Sequence, residues 1–190
     1  MDLLPHPASC VSSLLDKDGA HAIFSFYKYV PDSPEDDRRV VVFECGSGGV
    51  ERALALADSA GESEECAMHS LVTIDGFPFH IPMLDLACSE LGPYQKKRLE
   101  KYLDSSLCGD LAFFDSGRSF HAYGGTLISP SDWAGFMGSS LLANEPCKDP
   151  VVDSRWVGHR LRAGYAALRW TANAPRSLKI PTRIVLKDGF

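Results

Sequence analysis

The chain has 190 residues, is 45% hydrophobic and 23% charged, and carries a formal net charge of −6. That balance excludes a disordered tail, a collagen-like repeat and a low-complexity linker, and its length predicts one domain over 1–190, with 1–65 as a candidate N-terminal appendage. No apolar run approaches the roughly 18 residues of a membrane span, and the opening MDLLPHPASC lacks the parts of a signal peptide, so a cytoplasmic protein without membrane contact is expected.

After a short lead, 21–30 (HAIFSFYKYV) is rich in aromatic and β-branched residues and predicts a strand. A Pro/Asp loop over 31–37 separates it from a second strand over 38–44, making a hairpin. A glycine-rich break at 46–49 leads into a helix over 50–60, followed by an acidic surface loop at 62–65. Strands over 67–74 and 77–86 flank Asp75-Gly76, a hairpin signal because both residues tolerate positive φ. A helix is predicted over 93–103 and another hairpin over 111–115 and 119–128. A helix over 130–142 starts with Ser129 as N-cap and Pro130 at its first position. Asp153 caps a helix over 154–163, and short strands follow at 166–170 and 182–186. Hairpins alternating with single helices predict an α+β fold, with an antiparallel or mixed sheet and helices packed on one side.

Charge is segregated along the chain. Residues 1–154 hold 11 Lys+Arg against 24 Asp+Glu, whereas 155–190 hold eight basic residues against Asp188 alone. A basic C-terminal stretch marks either an anion-binding face or a surface that pairs with the acidic body. The six cysteines have no CxxC spacing and are expected to be reduced.

Three stretches carry chemical potential. In FHIPMLDL, 79–86, Asp85 ends an apolar strand and shares a face with Ile81 and Met83. In SGRSFHAY, 116–123, a tight turn with Arg118 feeds a strand on which Ser119, His121 and Tyr123 point the same way, a floor suited to an anion. In DSRWVGHRLRAGYAALRW, 153–170, Arg155, His159 and Arg162 form one polar helix face, with Val157, Leu161 and Tyr165 near an apolar one. Arg169 falls on a short apolar strand, where an arginine needs a partner, for which a buried acid is the plain structural reading.

Taken together, Met83-Leu84-Asp85-Leu86-Ala87, the Ser116-Gly117-Arg118-Ser119-Phe120-His121 block and Leu168-Arg169-Trp170 with Pro175 and Ser177 give a family resemblance. Over about residues 65–185 the sequence resembles the archaeo-eukaryotic primase (primase–polymerase) superfamily, specifically its degenerate bacterial primase-like domains. The resemblance implies a primase-like catalytic-core architecture and places Asp85 and His121 at catalytic positions. It also implies phosphate or nucleic-acid contacts from Arg118, Ser119, His121 and Arg169, flanked by Arg155, His159 and Arg162. The family's first motif ends in two aspartates two residues apart, which hold Mg or Mn; here the second position is Ala87, whose methyl coordinates nothing. Asp85 and Asp115 remain as metal-ligand candidates, with Asp153 the nearest further acid.

The expected function is therefore a primase-like domain with a depleted metal site. It would bind a nucleotide or single-stranded nucleic acid through phosphate, as a non-catalytic subunit. The alternatives are a residual metal-dependent nucleotidyltransferase or nucleotide hydrolase, and a protein-interaction subunit whose anchors are Trp133, Trp156 and Trp170. A third is a methyltransferase, because VVVFECGSGG at 40–49 is similar to the glycine-rich first motif of S-adenosylmethionine-dependent enzymes.

Overall fold

The computed structural model describes residues 5–28, 30 and 37–185. All ten strands among them pair antiparallel, giving an α+β fold with six helices. The strands divide into two sheets rather than one.

In the first sheet β1 (Ala20–Tyr27) is the hub. One edge pairs with β2 (Arg39–Glu44), the hairpin expected from the sequence. Its intervening loop at 31–36 lies outside the described residues. The other edge of β1 pairs first with β3 (Glu65–His69) and then with β4 (Leu71–Ile74). The hairpin within 1–65 is thus paired into the same sheet as the later strands.

Phe24 lies opposite Met68, yet Ala20 lies opposite Ile74, so two extra residues are accommodated around Ser70. Ser70 turns its backbone elsewhere: its N–H donates to the Ala166 carbonyl (2.8 Å), and its carbonyl accepts from Ile81 (2.9 Å). That exchange breaks the single strand expected over 67–74. β5 (Phe77–His80) returns on β4 through Asp75 and Gly76, both at positive φ, as the hairpin signal required. β9 (Ala167–Arg169) adds to the outer edge of β3.

The strand expected over 77–86 also divides. Pro82 has no N–H to continue a ladder, and the chain crosses there to the second sheet, where β6 (Met83–Asp85) begins. This sheet runs β10 (Thr182–Arg183), β7 (Leu111–Asp115), β8 (Phe120–Gly124), β6. A bridge joins His80, at the end of β5, to Ile128 in the segment that follows β8. β8 is shorter than expected, and β10 covers only the start of 182–186, of which residue 186 lies outside the described residues.

Four helices fall where the sequence places them: α2 (Gly49–Asp58), α3 (Pro93–Tyr102), α5 (Pro130–Leu142) and α6 (Ser154–Ala163). Ser129 and Asp153 cap the last two through their side chains. The sequence reading missed α1 (Ala8–Leu15) and α4 (Ser105–Gly109). Among the described residues no helix is long and apolar enough to cross a membrane.

The core is continuous between the sheets and helices. Phe24 packs edge-on against both Phe43 and Trp170, and Phe114 against Tyr123; each such ring contributes about 1.5–3 kcal/mol by leaving water. Trp133 and Trp170 are buried in that core, so neither is the exposed anchor expected of an interaction surface. The cysteines are free: Cys147 is exposed, Cys10 half-buried and the rest buried.

Candidate functional site: a cleft between the two sheets

The pairing of β6 with β8 sets Asp85 directly opposite His121. Cross-strand partners share a face, and Asp85 Oδ1 stands 3.9 Å from His121 Nε2. These two side chains, with Asp153 at the start of α6, line a cleft of about 530 Å³. The Asp153 N–H donates to the Asp85 carbonyl (2.9 Å), which fixes the two acids side by side. Glu65 and Arg169, on adjacent strands of the first sheet, and Trp156 complete its wall. Tyr27, Arg38, Arg118, Ser119, Arg176 and Ser177 surround it.

Burial and the neighbouring Asp153 push the Asp85 carboxyl up to about 7, against the pull of Arg169. Burial, and then Arg169, press the His121 imidazole down to about 3. At neutral pH the imidazole is therefore uncharged, and Asp85 holds a proton far more readily than an ordinary aspartate. The two meet beyond hydrogen-bond range rather than as an ion pair. His121 Nδ1 is buried with no hydrogen-bond partner among the described residues.

Among the described residues Arg169 does not form the buried ion pair with an acid that the sequence suggested. Its Nη1 donates to the carbonyls of Thr171 (2.6 Å) and Lys179 (2.9 Å), and its Nη2 to that of Ser116. One guanidinium thus binds the 116–119 turn to the C-terminal segment with three of its five N–H donors.

Glu65, expected in an acidic surface loop, is instead 1% exposed. Burial alone would raise its carboxyl, but hydrogen bonds from Ser177, Thr171, Ala174 and Asn173 hold it below its ordinary value. The Thr171 hydroxyl donates at 2.5 Å and the Ala174 N–H at 2.9 Å. Glu65 therefore anchors the 171–177 segment that carries Arg176 and Ser177 to the cleft.

The 116–119 turn closes with the Ser116 N–H and hydroxyl both donating to the Ser119 carbonyl (3.0 and 2.9 Å). Gly117 has φ +105°, and a Cβ there would stand 2.8 Å from Leu178 Cβ; glycine alone fits without strain. The turn presents Ser119 at the cleft and an exposed Arg118 at its mouth. Asp115 does not line the cleft; its carboxylate takes Lys179 Nζ at 2.5 Å and the Gly117 N–H at 2.8 Å.

Arg155, His159 and Arg162 do not line the cleft either. Arg155 and Arg162 are exposed and His159 half-buried, while Val157 and Arg160 form the buried face of α6. Leu161, placed near the apolar face by helical spacing, is 37% exposed. Trp156 lines the cleft, its Nε1–H donating to the Ala167 carbonyl (3.3 Å).

Sequence reading missed Tyr27, Arg38 and Glu65, and took Asp153 chiefly as a cap. Arg38 stacks 4.0 Å over the Tyr27 ring and donates to Ser25 Oγ. Burial pushes the Tyr27 phenol up to about 12. No motif marks these two, since they reach the cleft only through the β1–β2 hairpin.

Ala87 lines the cleft two residues after Asp85 and offers no oxygen. Among the described residues no group of three or more His, Cys, Asp or Glu could hold a metal ion.

The glycine-rich turn at 46–49 lies elsewhere. The Gly49 N–H (2.9 Å) and Val50 N–H (3.3 Å) at the start of α2 both donate to Asp16 Oδ1, and Gly46 N–H donates to the Leu15 carbonyl. The protein itself fills the place a cofactor's anion would take.

The curated proteins and the solved structures give no match to this chain. A family model for archaeo-eukaryotic primase 1D-like (AEP-like) domains matches residues 49–182, a span that includes Asp85, the 116–121 block, Asp153 and Arg169. The chain belongs to the archaeo-eukaryotic primase 1D-like family.

Proposed function

We propose that the cleft binds the phosphate of a nucleotide or of single-stranded nucleic acid without efficient polymerisation, as a non-catalytic primase-like module. The observation that carries this reading is the Asp85–His121 pair on the floor of a cleft edged by Arg38, Arg118 and Arg176, with Ala87 where a second acid would be needed. Arg118 and Ser119 are the contacts to phosphate. Arg169 is a positioning residue that holds their turn through the Ser116 carbonyl. A neutral His121 donates or accepts one hydrogen bond at the floor without adding charge. Arg155 and Arg162, exposed on α6, would touch only a strand longer than the cleft.

The test is binding of labelled single-stranded oligonucleotides and nucleotides, with and without Mg²⁺ or Mn²⁺, together with an extension and a hydrolysis assay. The reading predicts salt-sensitive binding that Arg118→Ala weakens, and no turnover. Manganese-dependent extension or hydrolysis lost in Asp85→Ala and His121→Ala would replace it with residual catalysis. A co-purifying protein with no nucleic-acid affinity would replace it with an interaction subunit.

A further inference from the structure

A second cavity, of about 300 Å³, lies behind the wall of the first. The chain after β6 separates them: Ala87 lines one and Cys88 the other. Tyr94, Gln95 and Arg98 of α3 form one side of this cavity, and residues 147–150 the other. Arg98 is 5% exposed. Its Nη1 donates to the Asp149 carbonyl (2.9 Å), but its Nε and Nη2 are shut from solvent with no hydrogen-bond partner among the described residues.

A guanidinium keeps its charge at any pH the fold survives. Nε and Nη2 form its side-on edge, two parallel N–H donors spaced for two oxygens of one carboxylate or phosphate. Buried donors are nearly always matched, and an unmatched charge is the costliest exception. Among the described residues no acceptor meets this edge: Asp149 offers its carbonyl to Nη1 instead. The Tyr94 ring, 5.6 Å from the Arg98 Cζ and from Lys148 Nζ, is 53% exposed and lines the cavity.

We propose that this cavity is a second anion site, in which the side-on edge of Arg98 grips a small oxyanion, a phosphate or a carboxylate. The proposal does not depend on the reading of the first cleft. Cys147, exposed and lining the same cavity, supplies a local reporter.

The full chain is alkylated in the presence of inorganic phosphate or, separately, acetate, against sodium chloride at matched ionic strength, and labelling of the Cys147 peptide is followed by mass spectrometry. The expected result is saturable, severalfold slowing by at least one anion. Slowing by phosphate alone identifies a phosphate site, and by acetate alone a carboxylate site. Arg98→Gln should abolish it. Should that variant not fold, Arg98→Lys keeps the charge without the fork and should weaken protection severalfold. Arg118→Ala, in the first cleft, should leave protection intact. No protection by either anion, or protection unchanged in Arg98→Lys, overturns the proposal and leaves water as the only partner of that edge.

Discussion

Two glycine turns in this chain read alike in sequence and differ in what the fold does with them. At 46–49 the chain packs against the end of α1, and Asp16 takes the amides at the start of α2. At 116–119 the turn closes on its own carbonyl, leaving Ser119 and Arg118 to the cleft. A glycine motif is thus available to a ligand only where the protein has not already supplied the acceptor. Nothing in either local sequence records that, because the residue that decides it, Asp16, lies some thirty positions away.

The sharpest way to break this contrast is to fill the first turn. A Cβ at Gly49 would lie 1.9 Å from the Leu15 carbonyl oxygen, a backbone atom that cannot step aside. Gly49→Ala should cost about 3 kcal/mol or more, seen as a fall in the urea midpoint, while the folded fraction keeps its ligand affinity. Gly117→Ala should cost about 1–3 kcal/mol from the positive φ and the Leu178 contact, and should also weaken ligand binding. Adding Leu178→Ala keeps the Cβ that makes the contact, so it should not rescue stability.

Side-chain variants sharpen the same division. Asp16→Ala should lower stability by about 1 kcal/mol, as loss of a helix cap does, with affinity unchanged. Ser119→Ala should do the reverse, lowering affinity with little change in melting.

The smallest net effect lies in the pH dependence of the cleft floor, where two slopes oppose. Asp85, raised from 3.8 to about 7, keeps its proton longer when folded; its contribution is full below about 3.8 and is lost as pH rises through about 7. His121, lowered from 6.5 to about 3, contributes fully above 6.5 and loses that contribution as pH falls towards 3. Relative to wild type, Asp85→Asn should therefore make stability rise with pH between roughly 4 and 6.5, and His121→Gln should make it fall there. Denaturation curves across that window read both.

Much of the fold was legible because its signals are local. The aromatic and β-branched run at 21–30, the Asp75-Gly76 turn and the caps Ser129 and Asp153 each determine structure within a few residues. The division into two sheets was not, since it depends on Ser70 exchanging partners with Ala166 and Ile81, far along the chain. Helix α1, ASCVSSLL, is Ser-rich and bears no charge in its first or last turn to signal its ends. In the cleft, Asp85, His121, Ser119 and Arg169 were legible from strand alternation and motif spacing. Glu65 was not, because a glutamate within Glu62, Glu64 and Glu65 reads as solvated until Thr171 and Ala174 are seen to meet it. Tyr27 and Arg38 enter only through sheet pairing.

The most direct test of the central claim is titration of a single-stranded oligonucleotide into wild-type protein and Arg118→Ala over a range of salt concentrations. Each phosphate neutralised should add about −0.7 to the slope of log affinity against log salt, and the variant should bind more weakly with a shallower slope. Binding indifferent to salt, or identical in the two proteins, would contradict a phosphate-binding cleft.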